Sequence, residues 1–176
     1  MHFRYLYAYT RILQSYVQML TVLVMMAVHL SLASAQLHPF SLSRFDARYH
    51  LVWSDEFSVP GPPDPSNWAF DIGTGSGGWG NLETEYYTDR PENVAVRDGH
   101  LALTATSGVL DGTDTPTFFS GRIHSHGKRA FLNGLFVARA RLPYGQGIWP
   151  AIWSLGSNID SVGWPRCGEL DIVRIV

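Results

Sequence analysis

Cysteine, charged runs and helical periodicity are scarce in these 176 residues, and each scarcity excludes a class of protein. With Cys167 as the single cysteine, no internal disulfide framework can form. In an exported chain an odd cysteine is a free thiol or pairs outside the chain. No histidine lies near it in sequence, so it reads as structural rather than as a nucleophile. Charged residues make up 16% of the chain, the formal net charge is −2, and no long run of one sign occurs, so no nucleic-acid partner is expected. The seven histidines are scattered apart from His124 and His126. That pair shares a face at strand period, but without an acid or cysteine cluster a surface pair is the preferred reading over a metal site. The glycine-rich stretch from Gly73 to Gly80 has no following lysine and no strand–helix context, which argues against a phosphate loop.

The first thirty-five residues read as an export segment. Arg4 and Arg11 give it positive charge, and Val17 to Leu32 is mostly apolar, interrupted by Gln18, Thr21 and His29. Ala33-Ser34-Ala35 forms a small-x-small cleavage site. A signal helix over 1–35, removed to leave 36–176 as a secreted domain, is therefore expected. A membrane anchor is the competing reading, against which the polar interruptions speak. No other candidate span follows, so no membrane association is expected once the segment is removed.

Beyond it, no stretch shows convincing helical spacing, and short strands alternate with Gly/Pro turns, which predicts an all-β sandwich. Leu51–Phe57 reads as a strand running into the loop Pro60-Gly61-Pro62-Pro63. Asn93–Ala105 is the clearest hairpin, with alternating apolar residues around the Asp98-Gly99 turn. Further strands are expected over Ser120–Ser125 and Gly134–Leu142. In the strand after these, Trp149, Ala151 and Trp153 share a face by period two.

The last nine residues, Gly168 to Val176, hold Glu169 and Asp171 in an apolar, β-branched run that reads as a buried strand. Alternation puts both carboxylates on one face. The residues alone leave two readings open, a sheet edge with solvated acids or a pair of acids lining a working cleft.

The segments Leu142–Gly156 and Gly163–Ile172 together resemble the signature of glycoside hydrolase family 16, with its laminarinase-like members nearest in pattern. Gly78-Trp79-Gly80-Asn81-Leu82-Glu83-Thr84-Glu85-Tyr86-Tyr87-Thr88 and Ser120-Gly121-Arg122-Ile123 match two further family segments. The resemblance implies a concanavalin-like jelly roll and a retaining β-glucanase acting on β-1,3 or mixed-linkage glucan. It also implies that Glu169 is the nucleophile and Asp171 the helper between the two catalytic acids. Asn81, Glu83 and Arg122 are then substrate-binding, and Trp149 and Trp153 form a sugar platform for which core tryptophans are the alternative. Trp79 and Tyr86 could offer further flat faces. No cofactor is expected. The family's structural calcium would draw on Glu56 and the Asp98-Gly99 turn, but a plain strand-end carboxylate is the preferred reading of Glu56.

The match departs where the second catalytic glutamate should follow. A bare strand presents Val173 on the Glu169 face, and a one-residue bulge presents Arg174 instead. Neither can protonate a leaving oxygen. Val137 likewise replaces a glutamate frequent in the family. The resemblance runs from about residue 50 to Val173 and covers the N-terminal part of a family domain, so the expected fold is an incomplete β-sandwich, a C-terminally truncated product. Three functional readings follow: a secreted monomeric β-glucan hydrolase inactive as written, a non-catalytic β-glucan-binding protein, or a non-functional fragment.

Overall fold

The computed structural model describes residues 1–11 and 49–174. Twelve strands are the main regular elements among them, joined by turns, a tight helical turn over Gly78–Leu82 and one short α-helix. The expected signal helix over 1–35 is not what its first residues form. His2–Arg11 is a ten-residue strand, β1. The remainder of that segment, with its apolar stretch and cleavage site, lies outside the described residues.

β1 is the centre of a five-stranded sheet. Along one edge it pairs antiparallel with β10 (Leu135–Arg141), from His2 opposite Arg141 to Tyr9 opposite Leu135. Along the other edge β2 (Tyr49–Asp55) and β6 (His100–Leu103) lie end to end. β6 continues the sheet through the hairpin to β5 (Val94–Arg97). The predicted hairpin turn is present, with Asp98 at φ 53° and Gly99 at φ 70°, the left-handed conformation such a turn requires.

Three smaller sheets complete the chain. β3 (Ala69–Asp71) pairs with β9 (Arg122–His124), and β4 (Tyr86–Tyr87) joins β8 (Pro116–Ser120) and β7 (Thr106–Val109). β11 (Ala151–Leu155) pairs with β12 (Glu169–Arg174), and the single turn of helix α1 (Ile159–Val162) lies between them. A cis peptide joins Trp164 to Pro165 in the same connection.

The core forms where these layers meet. Leu6, Phe57, Val94, Val96 and Leu101 are buried together, and Phe70, Ile123 and Ile152 pack on them from β3, β9 and β11. Burying such side chains is worth about 1.5–3 kcal/mol each before chain entropy is counted. Buried polar groups within this frame are paired, as their desolvation requires. Asn93 accepts from Thr88 Oγ1 (2.7 Å) and donates to Thr104 O (2.9 Å) and Thr106 Oγ1 (3.0 Å). Asp55 accepts from Phe57 N (3.0 Å) and Trp68 Nε1 (2.8 Å), which fastens the end of β2 to the loop that follows.

The acid strand departs from expectation. The apolar, β-branched run predicts a buried strand, yet Glu169, Leu170, Asp171 and Ile172 of β12 are all exposed. Among the described residues β12 pairs only with β11, so one edge and much of its surface have no covering strand.

Candidate active site

The site is built on two strand pairs. In β11–β12, Leu155 stands opposite Glu169, Trp153 opposite Asp171 and Ala151 opposite Arg174. The register shifts between Ile152 and Trp153, because Ile152 pairs with Val173. Ile172 is therefore the extra residue of a bulge. Cross-strand partners share a face, and Ala151 and Trp153 share one by period two. Position 174 thus lies on the same face as Glu169 and Asp171, while Val173 shares the opposite face with Ile152, which packs on the core. Of the two alternatives the sequence left open, the backbone takes the bulge.

The second pair, β3–β9, sets Arg122 directly across from Asp71. Arg122 Nε donates to Asp71 Oδ2 at 2.9 Å, and its Nη1 lies 3.8 Å from Glu83 Oε1. Three aromatic rings enclose the guanidinium, with Trp79, Trp153 and Tyr87 at 4.6, 5.1 and 5.9 Å from ring centroid to Cζ. A weakly hydrated planar cation suits such a cage. Through Trp153 the cage reaches β11, so Arg122 couples the two strand pairs.

Glu83 is the most enclosed acid of the group, with its side chain 9% exposed. Asn81 Nδ2 donates to its Oε1 (3.2 Å) and Tyr87 OH to its Oε2 (2.7 Å). The same hydroxyl lies 2.7 Å from Glu85 Oε1. Burial first, then the two carboxylates, push the Tyr87 phenol well above the usual tyrosine range. The hydroxyl stays a donor that holds the Gly78–Leu82 turn against β4. Trp79 Nε1, on that turn, is buried without a hydrogen-bond partner among the described residues.

Several of the expected site residues are thereby brought together. Asn81, Glu83, Arg122 and Trp153 belong to one network, and Glu169 and Asp171 lie on the Trp153 face of β11–β12. Trp149 precedes β11 and is partly exposed. Of the two flat faces suggested near the turn, Trp79 joins the cage, whereas Tyr86 packs edge-on against Phe119 with centroids 6.2 Å apart. Its neighbour Tyr87 takes the place instead, because successive strand residues face opposite ways.

Two participants were missed from sequence. Asp71 anchors Arg122, and only the β3–β9 pairing reveals it. Trp164 donates from Nε1 to Glu169 Oε2 at 2.8 Å. The residue is 66% exposed beside the carboxylate, and its position within Gly163-Trp164-Pro165 was the available signal. The two spaced histidines go to separate acids, His124 to Asp71 at 3.6 Å and His126 to Asp160 at 3.0 Å. Among the described residues no three His, Cys, Asp or Glu side chains converge as a metal site would need, and Glu56 is exposed.

Comparison with known proteins agrees with this architecture. A family model described as "XgeA-like, catalytic GH16 domain" matches residues 102–176. The chain is 44% identical over 131 residues to a beta-glucanase of Rhodothermus marinus, covering 73% of this chain and 44% of that protein. It is 41% identical over 127 residues to a glucan endo-1,3-beta-glucosidase of Cryptopygus antarcticus, covering 70% and 45%. The crystal structure of laminarinase from Flavobacterium sp. UMI-01 superposes with a TM-score of 0.61 at 43% identity, over 72% of this chain and 52% of that one. The chain spans about half the length of these relatives. By the family model over residues 102–176, the identities to these relatives and the superposition, the matched domain belongs to glycoside hydrolase family 16, on the laminarinase-like side of that family.

Proposed function

We propose that this chain is a β-glucan-binding member of its family in which the retaining hydrolytic reaction lacks its proton donor. Glu169 stands in the nucleophile's place and Asp171 in that of the helper. Asn81, Glu83, Arg122, Trp149 and Trp153 form the sugar-binding surface, which extends to the exposed ring of Trp164.

Retaining hydrolysis needs two carboxyl groups about 5–5.5 Å apart. One attacks the anomeric carbon to form a glycosyl-enzyme, while the other protonates the departing oxygen and later deprotonates the attacking water. The observation that carries the proposal is the pairing of Ala151 with Arg174, which sets position 174 on the face of Glu169 and Asp171. A guanidinium there keeps its proton at any pH the protein survives. The polysaccharide is a β-1,3 or mixed-linkage glucan, met outside the cell by a monomer.

The test is isothermal titration of the full chain with laminarin, alongside a reducing-sugar assay on the same material. Saturable binding without release of reducing ends is the expected result. Release at a rate ordinary for a glucanase would refute the assignment of position 174. Absence of both binding and a cooperative thermal transition would favour the non-functional fragment.

A further inference from the structure

Glu85 takes no part in the cage around Arg122, yet it meets Glu83 at one point. The Tyr87 hydroxyl oxygen lies 2.7 Å from Glu83 Oε2 and 2.7 Å from Glu85 Oε1. A phenol has a single proton to give, and an ionised carboxylate only accepts. The hydroxyl therefore serves one acid at a time, and the equal distances favour neither.

Tyr87 itself is fixed in place. It exchanges two main-chain bonds with Gly73, at 2.9 and 3.0 Å, and stands opposite Ser120 across the β4–β8 ladder. Its ring packs on Trp79 with centroids 6.0 Å apart. The two acids are held unequally. Glu83 Oε1 also accepts from Asn81 Nδ2 and lies 3.8 Å from Arg122 Nη1. For Glu83 Oε2 and for Glu85, Tyr87 is the one hydrogen-bond donor among the described residues.

This arrangement bears on how Glu83 meets a ligand. With Tyr87 turned to Glu83, both oxygens of that acid hold a donor, and only 9% of its side chain is exposed. A sugar hydroxyl reaching Oε2 then shares that oxygen, and its charge, with the phenol. With Tyr87 turned to Glu85, the phenol keeps a charge-assisted bond and Oε2 is open to the ligand. Were position 85 apolar, opening Oε2 would leave a partly buried phenol proton unpaired, which is costly.

We propose that Glu85 is a positioning residue of the sugar site: when a glucan hydroxyl donates to Glu83 Oε2, Glu85 takes over the hydrogen bond from Tyr87. This rests on the reading of Glu83 as a glucan contact and adds the exchange behind it. No covalent bond changes. The proton stays on the phenolic oxygen and turns from one acid to the other. Selectivity follows, because the ligand group at Oε2 must be a donor: a hydroxyl fits, and an ether or sulfate ester does not.

The experiment is isothermal titration of the full chain with laminarin. The unchanged chain is compared with Glu85→Met, Glu85→Gln and the double variant Glu85→Met/Tyr87→Phe, each first shown to unfold cooperatively in urea. Glu85→Met should bind about tenfold more weakly, the fold-change for one hydrogen bond to a charged group. Glu85→Gln keeps an acceptor oxygen and should recover most of that loss. Adding Tyr87→Phe to Glu85→Met should recover it too, since no phenol proton is left to strand. A second measurement needs no folded Glu85→Met. In the unchanged chain the carboxyl-carbon NMR resonances of Glu83 and Glu85, assigned through their glutamine variants, should both move as laminarin is added. Undiminished affinity in Glu85→Met, a double variant no tighter than Glu85→Met, or a Glu85 resonance that stays fixed while that of Glu83 moves would each overturn the proposal. An unchanged chain that binds no laminarin at all would remove the glucan reading, and this proposal with it.

Discussion

Ala151 on β11 is the cross-strand partner of Arg174 on β12, one residue beyond where an unbroken ladder would set it. That displacement follows from the bulge at Ile172. It turns Val173 towards the core side and brings position 174 to the carboxylate side. This single extra residue decides which position lies beside Glu169 and Asp171.

Arg174→Glu should therefore create hydrolysis, whereas Arg174→Ala should not. General acid–base assistance is worth about 10²–10⁴-fold, and a gain within that range in reducing-sugar release from laminarin is expected for the glutamate variant alone. Equal rates for the two variants would show that position 174 does not serve the reaction.

Asp71→Asn should loosen the Arg122 cage. The ion pair is partly buried, at 22% and 26% side-chain exposure, between the regimes of solvated and fully buried pairs. A loss of about 1–2 kcal/mol in chemical denaturation is expected, together with weaker laminarin binding because Arg122 is no longer fixed against Trp153. Unchanged stability and affinity would mean that the aromatic rings alone position the guanidinium.

Gly121→Ala tests the same strand from behind. A Cβ at Gly121 would overlap the side chain of Val94 and lie 3.1 Å from Asn93 O. Both neighbours are buried, so the clash has little room to relax. Overpacking of this kind costs about 1–3 kcal/mol, and the denaturation midpoint should fall accordingly.

Tyr87 predicts an alkaline limit. Its folded-state phenol is held above the ordinary value of 10, so the unfolded chain gives up this proton first as pH rises. The contribution is fully present below about pH 10 and is lost progressively above it, because the unfolded state then binds fewer protons. Tyr87→Phe should flatten the fall in stability above pH 10, measured by urea denaturation at a series of pH values. An unchanged slope would place the proton loss elsewhere.

Local pattern carried much of this in the sequence. The Asp98-Gly99 turn, the alternation around it and the spacing of Glu169 and Asp171 were legible because turn conformation and strand period depend on neighbouring residues. Asn81, Glu83 and Arg122 were legible through motifs of similar range. Asp71 was not, because it enters the site only when β3 pairs with β9, fifty-one residues apart in sequence at the contact. Exposure of β12 was missed for a related reason: an apolar strand is buried only if another element covers it.

What the sequence by itself determined is the β architecture, the residue types of the candidate site, and that positions 173 and 174 hold valine and arginine rather than glutamate. Tertiary structure alone decided which position shares the face of Glu169 and Asp171, what clamps Arg122, and that residues 2–11 form a central strand. Alternation specifies a strand's two faces but leaves its partners and its bulges open. Those are settled where backbone hydrogen bonds and buried side chains from distant segments must be satisfied together.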